Sequence, residues 1–199
     1  TAADRAKQAA VMTDNPAMKM LTGPGYGTDN YTYGAMMAND YLGFMLIFVA
    51  LMTALIVVRH TRAEEETGRA ELLTAGVAGR RAHLTAALAT AAIADIALGA
   101  VVAVGLAASG VESIDWPGSV LFGATFTVTG LVFAGIAAVT AQFSAFSRAA
   151  SGLAGALIGL AYALRAIGDT SDGTLSWLSP IGWAQATKVY VDNLWWPVL

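Results

Sequence analysis

WPGSVLFGATFTVTGLVFAGIAAVTAQFSAFS, residues 116–147, runs for 32 positions without one Asp, Glu, Lys or Arg. A helix needs about 20 apolar residues to cross the hydrocarbon core of a bilayer. Further apolar blocks stand at 35–58, 84–108 and 149–168. A soluble fold of 199 residues can bury one or two such helices, but four in series leave too little polar surface. The chain therefore reads as an all-α integral membrane protein with spans at 35–58, 84–108, 119–143 and 149–168. Composition agrees, at 56% hydrophobic and 13% charged, against about 25% charged in soluble domains.

The positions of the charges set the expected topology. Residues 59–83 hold Arg59, Arg62, Arg69, Arg80 and Arg81, and the short turn 144–148 holds Arg148. Loop 109–118 has neither Lys nor Arg, and the tail 169–199 has only Lys188. The positive-inside rule puts 59–83 and 144–148 in the cytoplasm. Arg5, Lys7 and Lys19 in the outer stretch 1–34 weaken that bias. Trp116, Trp177, Trp183, Trp195 and Trp196 all fall on the opposite, outer side, where indoles settle at headgroup level. The tail 169–199 reads as a helix lying in the outer interface, with room for a further span from Trp195. In the outer stretch, Ala2 to Met12 suits a short helix, broken by Asn15-Pro16 and by Gly23-Pro24-Gly25-Tyr26-Gly27. The chain opens TAADRAKQAAVMTDNP, without an initiator Met or a signal peptide, and reads as an internal segment of a longer polypeptide.

Several classes of function fall away. Without cysteine there is neither a disulfide framework nor a thiolate metal site. A net charge of -3 argues against a nucleic-acid partner. No GxxxxGK[ST] phosphate loop occurs, and His60 and His83 lack an HExxH arrangement. The chain is expected to be no enzyme and to hold no cofactor.

Polar residues inside the spans are the remaining leads. Asp95 falls near the bilayer centre, where a carboxylate is costly and seldom faces lipid. Three readings stay open: a protonated group hydrogen-bonded between helices, the lining of a polar passage, or a coupling proton or ion site. Arg165 has Asp169 one turn on as its simplest partner, with Asp95 reachable only if tilt helps. Asp40 reads as a helix-end residue. Gly155 and Gly159 form a GxxxG face suited to close helix packing, and Gly130, Ala134 and Gly135 mark close contact on the third span. Between the first two spans, residues 61–75 (TRAEEETGRAELLTA) show helical periodicity. Their acidic start repels an anionic inner leaflet but suits a protein partner with a basic rim.

VVRHTRAEEETGRAELLTAGVAGRRAHL (57–84) closely resembles the cytoplasmic segment of ABC-2 type permeases of actinobacterial polyketide-antibiotic exporters. SWLSPIGWAQA (176–186) resembles the segment after their fifth span, and NPAMKMLTGPGYG (15–27) their outer loop after the first span. The resemblance covers nearly the whole chain and implies a permease driven by a separate ATPase subunit, itself a dimer, which binds ATP and Mg. It further implies that a helix over Thr61 to Ala75 inserts into a cleft of that ATPase. Glu64, Glu65, Glu66, Arg69 and Glu71 are then the expected coupling contacts. It also implies a second permease half or copy to complete the pathway, lipid around it, hydrophobic drugs or antibiotics as cargo, and a multi-pass place in the cell inner (plasma) membrane. A proton-coupled transporter using Asp95 and a non-transporting membrane scaffold are the competing functions.

Overall fold

The computed structural model describes residues 2–66 and 82–199. Its helices are α1 (Ala2–Asp14), α2 (Pro16–Thr22), α3 (Tyr33–Glu66), α4 (Ala82–Ala107), α5 (Trp116–Phe143), α6 (Ser147–Asp169) and α7 (Pro180–Ala186). No strand occurs among the described residues. Helices α3 to α6 are long and apolar enough to cross a membrane, and the chain is an all-α, multi-pass membrane protein. One end of the bundle carries the arginines of α3 and the α5–α6 turn; the other carries the tryptophans.

Helix α3 differs most from the sequence reading. It does not stop at Arg59 but continues to Glu66, with π-helical turns at Ala38–Leu42 and Arg59–Ala63. Charge ends burial in lipid; it does not end a helix. Residues 59–66 contain neither Gly nor Pro, and their polar side chains pair along the helix, His60 with Glu64 and Arg62 with Glu65. At roughly 1.5 Å per residue α3 is about 50 Å long, well beyond a hydrocarbon core of about 30 Å.

The other boundaries shift by a turn or less, and caps explain them. Helix α5 begins at Trp116 rather than 119 because Asp115 accepts a hydrogen bond from the Gly118 amide at 3.0 Å and Pro117 sits in the first turn. Asn15-Pro16 does break α1, but Asn15 also caps a second helix, accepting from the Ala17 amide at 2.9 Å.

Helix α5 is the axis of the bundle and packs on α3, α4 and α6. Its contact with α4 is the longest. Helix α4 buries Ala87, Ala91, Asp95, Gly99 and Ala103, every fourth residue on one seam. Small residues there bring the two backbones together. A Cβ on Gly99 would stand 2.5 Å from the Gly123 carbonyl oxygen, so only glycine fits.

Two expectations about packing are corrected. Gly155 and Gly159 do not pack within this chain: a Cβ at either would meet nothing within 4 Å. Helix α6 turns another face inward, with Ala150, Ala154, Ile158, Ala161 and Arg165. The tail is no surface helix. It folds as a 3-10 turn (Thr174–Leu178) and α7, and then as irregular chain with positive φ at Lys188, Tyr190 and Asn193. Ile181, Ala184 and Val189 are fully or almost fully buried in the main core, because Ser-Pro and the left-handed residues bend the chain back onto α3 and α5.

Candidate functional site

At mid-bundle, three helices meet at Asp95, which is completely buried. Thr53 of α3 donates a hydrogen bond to Asp95 Oδ1 at 2.6 Å, and Thr127 of α5 donates to the Asp95 backbone carbonyl at 3.2 Å. Gly130 of α5 leaves the space that the carboxyl group fills: a Cβ there would stand 2.5 Å from both Oδ1 and Oδ2. Oδ2 has no hydrogen-bond partner, and no basic group among the described residues pairs with Asp95. The geometry ties α3, α4 and α5 together at one polar point. Gly130 was legible from sequence as a contact residue; its role as the socket for a side chain of another helix was not, because it depends on helix register.

Near the tryptophan end, Arg165 pairs with Asp169 at 3.1 Å, not with Asp95. Both side chains are almost wholly buried. The guanidinium also donates to the carbonyls of Met20 (2.8 Å) and Leu21 (3.3 Å) and lies over the Tyr162 ring, 4.4 Å from its centre. Tyr162 Oη donates to the Leu21 carbonyl at 2.9 Å, and Gln185 Nε2 to Thr22 at 2.7 Å. These carbonyls are the unpaired last turn of α2, where positive charge is favoured. Arg165 thus caps α2 and latches the N-terminal segment onto α6. Sequence reasoning found the Asp169 pair and missed the carbonyls, which carry no residue signature.

A second latch holds α1. Arg5 Nε donates to the Tyr31 carbonyl at 2.9 Å, and Gln8 donates to Asp40 at 2.6 Å. Asp40 lies inside the first π-turn of α3 rather than at a helix end. Burial, and then the Asp40 carboxylate, push the Tyr31 phenol well above its ordinary value.

At the arginine end, the tip of α3 touches each of the other spans. Glu64 lies between His60 (2.9 Å) and His83 of α4 (3.6 Å). Arg62 Nε donates to the Ala141 carbonyl in the last turn of α5 at 2.5 Å, and its other arm pairs with Glu65 at 2.6 Å. Glu66 accepts from both the backbone amide and the hydroxyl of Ser147, the first residue of α6, the latter at 2.8 Å. A carboxylate suits that helix start. Glu64, Glu65 and Glu66 are therefore all engaged within the chain. Arg69 and Glu71, the other two expected coupling residues, lie outside the described residues. Among the described residues, no group of three or more His, Asp or Glu could hold a metal ion.

Along α3, α4 and α5, toward the tryptophan end, lies an open apolar groove of about 570 Å³, lined by Met37, Tyr41, Met45, Val102, Phe122 and Phe126 among others. Flexible methionines and aromatic rings are surfaces that accept varied apolar shapes.

The described residues thus form a four-span membrane bundle with a long helix projecting from one end and polar latches at the other. The chain belongs to the family described as multidrug efflux system permease Rv1217c, C-terminal domain, whose pattern matches residues 6–199. It is similar to the multidrug efflux system permease protein Rv1217c of Mycobacterium tuberculosis (strain ATCC 25618 / H37Rv), at 44% identity over 195 residues. That match takes in 98% of this chain and 34% of the relative, so the chain spans about a third of the length of the relative it matches. The match agrees with the ABC-2 permease resemblance read from the sequence.

Proposed function

We propose that this chain forms part of the membrane pathway of an ATP-driven exporter. It moves hydrophobic drugs or antibiotics out of the cell, and a separate ATPase subunit hydrolyses the ATP. The arginine end faces the cytoplasm, as the positive-inside rule requires. The observation that carries the reading is the tip of α3. It extends past the hydrocarbon, is bonded to the near ends of α5 and α6 through Arg62 and Glu66, and sets Glu64 3.6 Å from His83 of α4. A push on the segment that follows Glu66 is thereby shared among all four spans. The coupling contact itself then falls on residues beyond Glu66, Arg69 and Glu71 among them, and Glu64 to Glu66 transmit motion rather than receive it. The open apolar groove beside Met37 and Met45 offers a surface for apolar cargo. A second permease half or copy completes the pathway.

The test uses the whole transporter, purified with its partner and reconstituted in lipid. A protein with a phosphate-binding loop is expected to co-purify, with ATPase activity stimulated by an apolar substrate. Charge reversal at Arg69 and Glu71 should abolish the stimulation while the complex stays assembled. Uptake or export driven by a proton gradient without ATP, lost on Asp95→Asn, would establish the proton-coupled alternative instead.

A further inference from the structure

Beside the Arg165 latch, at the tryptophan end, lies a cavity of about 260 Å³ that neither the coupling nor the packing uses. Its wall includes Asp169, Asp172, Gln185, Tyr26 and Trp177, and no Lys or Arg among the described residues lines it. Gln185 is the telling residue. It is only 6% exposed. Its nitrogen is identified by the 2.7 Å bond to the Thr22 carbonyl, which needs a donor, so the other amide atom is the oxygen. That oxygen is buried and receives no hydrogen bond. Buried acceptors without a donor are rare and costly.

The neighbouring groups are acceptors as well. Asp169 receives one bond from Arg165 (3.1 Å) and one from Ser176 (2.7 Å), leaving lone pairs free on both oxygens. Asp172 is exposed and held ionised: bonds from the Thr174 amide (3.1 Å) and hydroxyl (2.9 Å) keep its carboxyl below the usual range. Tyr26 and Trp177 add aromatic surface, and the Tyr26 ring already lies 5.3 Å from the Lys188 ammonium. Acceptors, negative charge and aromatic rings together describe the complement of an organic ammonium: three N–H donors, one positive charge and an apolar stem. A site for a bare divalent ion would show a denser set of oxygens and fewer rings. The volume suits a headgroup rather than a drug-sized molecule. Trp177 stacks on Trp196 at 5.2 Å beside it, and indoles favour the level of lipid headgroups.

We propose that this cavity binds the ammonium group of an organic amine, drawn from an aminophospholipid headgroup or from a soluble amine. The inference stands on the cavity's geometry and does not depend on the coupling reading. It is tested with the full permease in nanodiscs of phosphatidylglycerol, following tryptophan fluorescence during titration with ethanolamine. The Trp177→Phe protein is the control that assigns the signal. A saturable change, weakened about tenfold by Asp172→Asn, is expected. Asp172→Asn sits on the surface and retains an oxygen to accept from Thr174, so it leaves the fold intact; Gln185→Leu is the second variant. A matching change on adding phosphatidylethanolamine to the nanodiscs, without response to free ethanolamine, supports the site with lipid as its source. No response to either amine, an unaltered response in Asp172→Asn, or a stronger response to calcium chloride than to ethanolamine would overturn it.

Discussion

Replacing Gly130 with alanine tests the joint at mid-bundle. The new methyl group would stand 2.5 Å from each Asp95 carboxylate oxygen, so the carboxyl must leave its socket and the bond from Thr53 breaks. Overpacking costs about 1–3 kcal/mol. A lost interhelical hydrogen bond in a membrane protein costs about 0.6 kcal/mol on average and about 1.7 at most. Alanine returns about 1 kcal/mol of helix propensity over glycine. The net expectation is a loss of about 1–3 kcal/mol. With Asp95→Ala already present, the socket is empty and the same methyl group fills it. There Gly130→Ala should be neutral or stabilising by up to about 1 kcal/mol. The coupling between the two sites is then about 1–4 kcal/mol, above the few tenths expected of independent positions. Unfolding of the four proteins by denaturing detergent in mixed micelles, followed by circular dichroism, measures it. Effects that add to within about 0.5 kcal/mol would refute the argument that Gly130 exists to seat Asp95.

Arg165→Met should destabilise by about 3–5 kcal/mol, since it strands a buried Asp169 and uncaps the Met20 and Leu21 carbonyls, and adding Asp169→Asn should restore part of the loss; the same micelle assay reads both. Glu66→Ala should cost about 1 kcal/mol at the start of α6 and lower the ATPase stimulation of the assembled transporter, whereas Glu66→Gln, which keeps an acceptor for Ser147, should retain more of both. Gly155→Ala should be neutral or slightly stabilising in this chain, because nothing lies within 4 Å of the added Cβ; a large loss on unfolding would show that the α6 face is packed after all. The Asp172 carboxyl lies below its unfolded value, so its contribution is present above that value and fades as pH falls through the folded one. Thr174→Ala should move the carboxyl titration upward, which NMR of the Asp172 side chain would register.

The class of molecule is legible in the order of residues alone. Apolar runs of span length specify transbilayer helices irrespective of context, because unpaired backbone groups cannot stand in hydrocarbon. The same runs located three of the four helices to within a turn or so, and the start of the other, α3. The Arg165–Asp169 pair was legible because partners four apart on one helix meet whatever surrounds them. Position along the chain could not reveal which helix faces touch. Glycine at 155 and 159 reads the same as glycine at 99, 123 and 130, yet only the latter three receive a neighbouring helix. Nor could it show that α3 outlives its apolar stretch, since helix and membrane end for different reasons. The Asp95 socket, the capping of α2 by Arg165 and the clamp of Glu66 on Ser147 join residues far apart in sequence. Those bonds rest on helix register and crossing, which tertiary packing alone fixes, because backbone carbonyls and empty glycine faces leave no mark in the order of side chains.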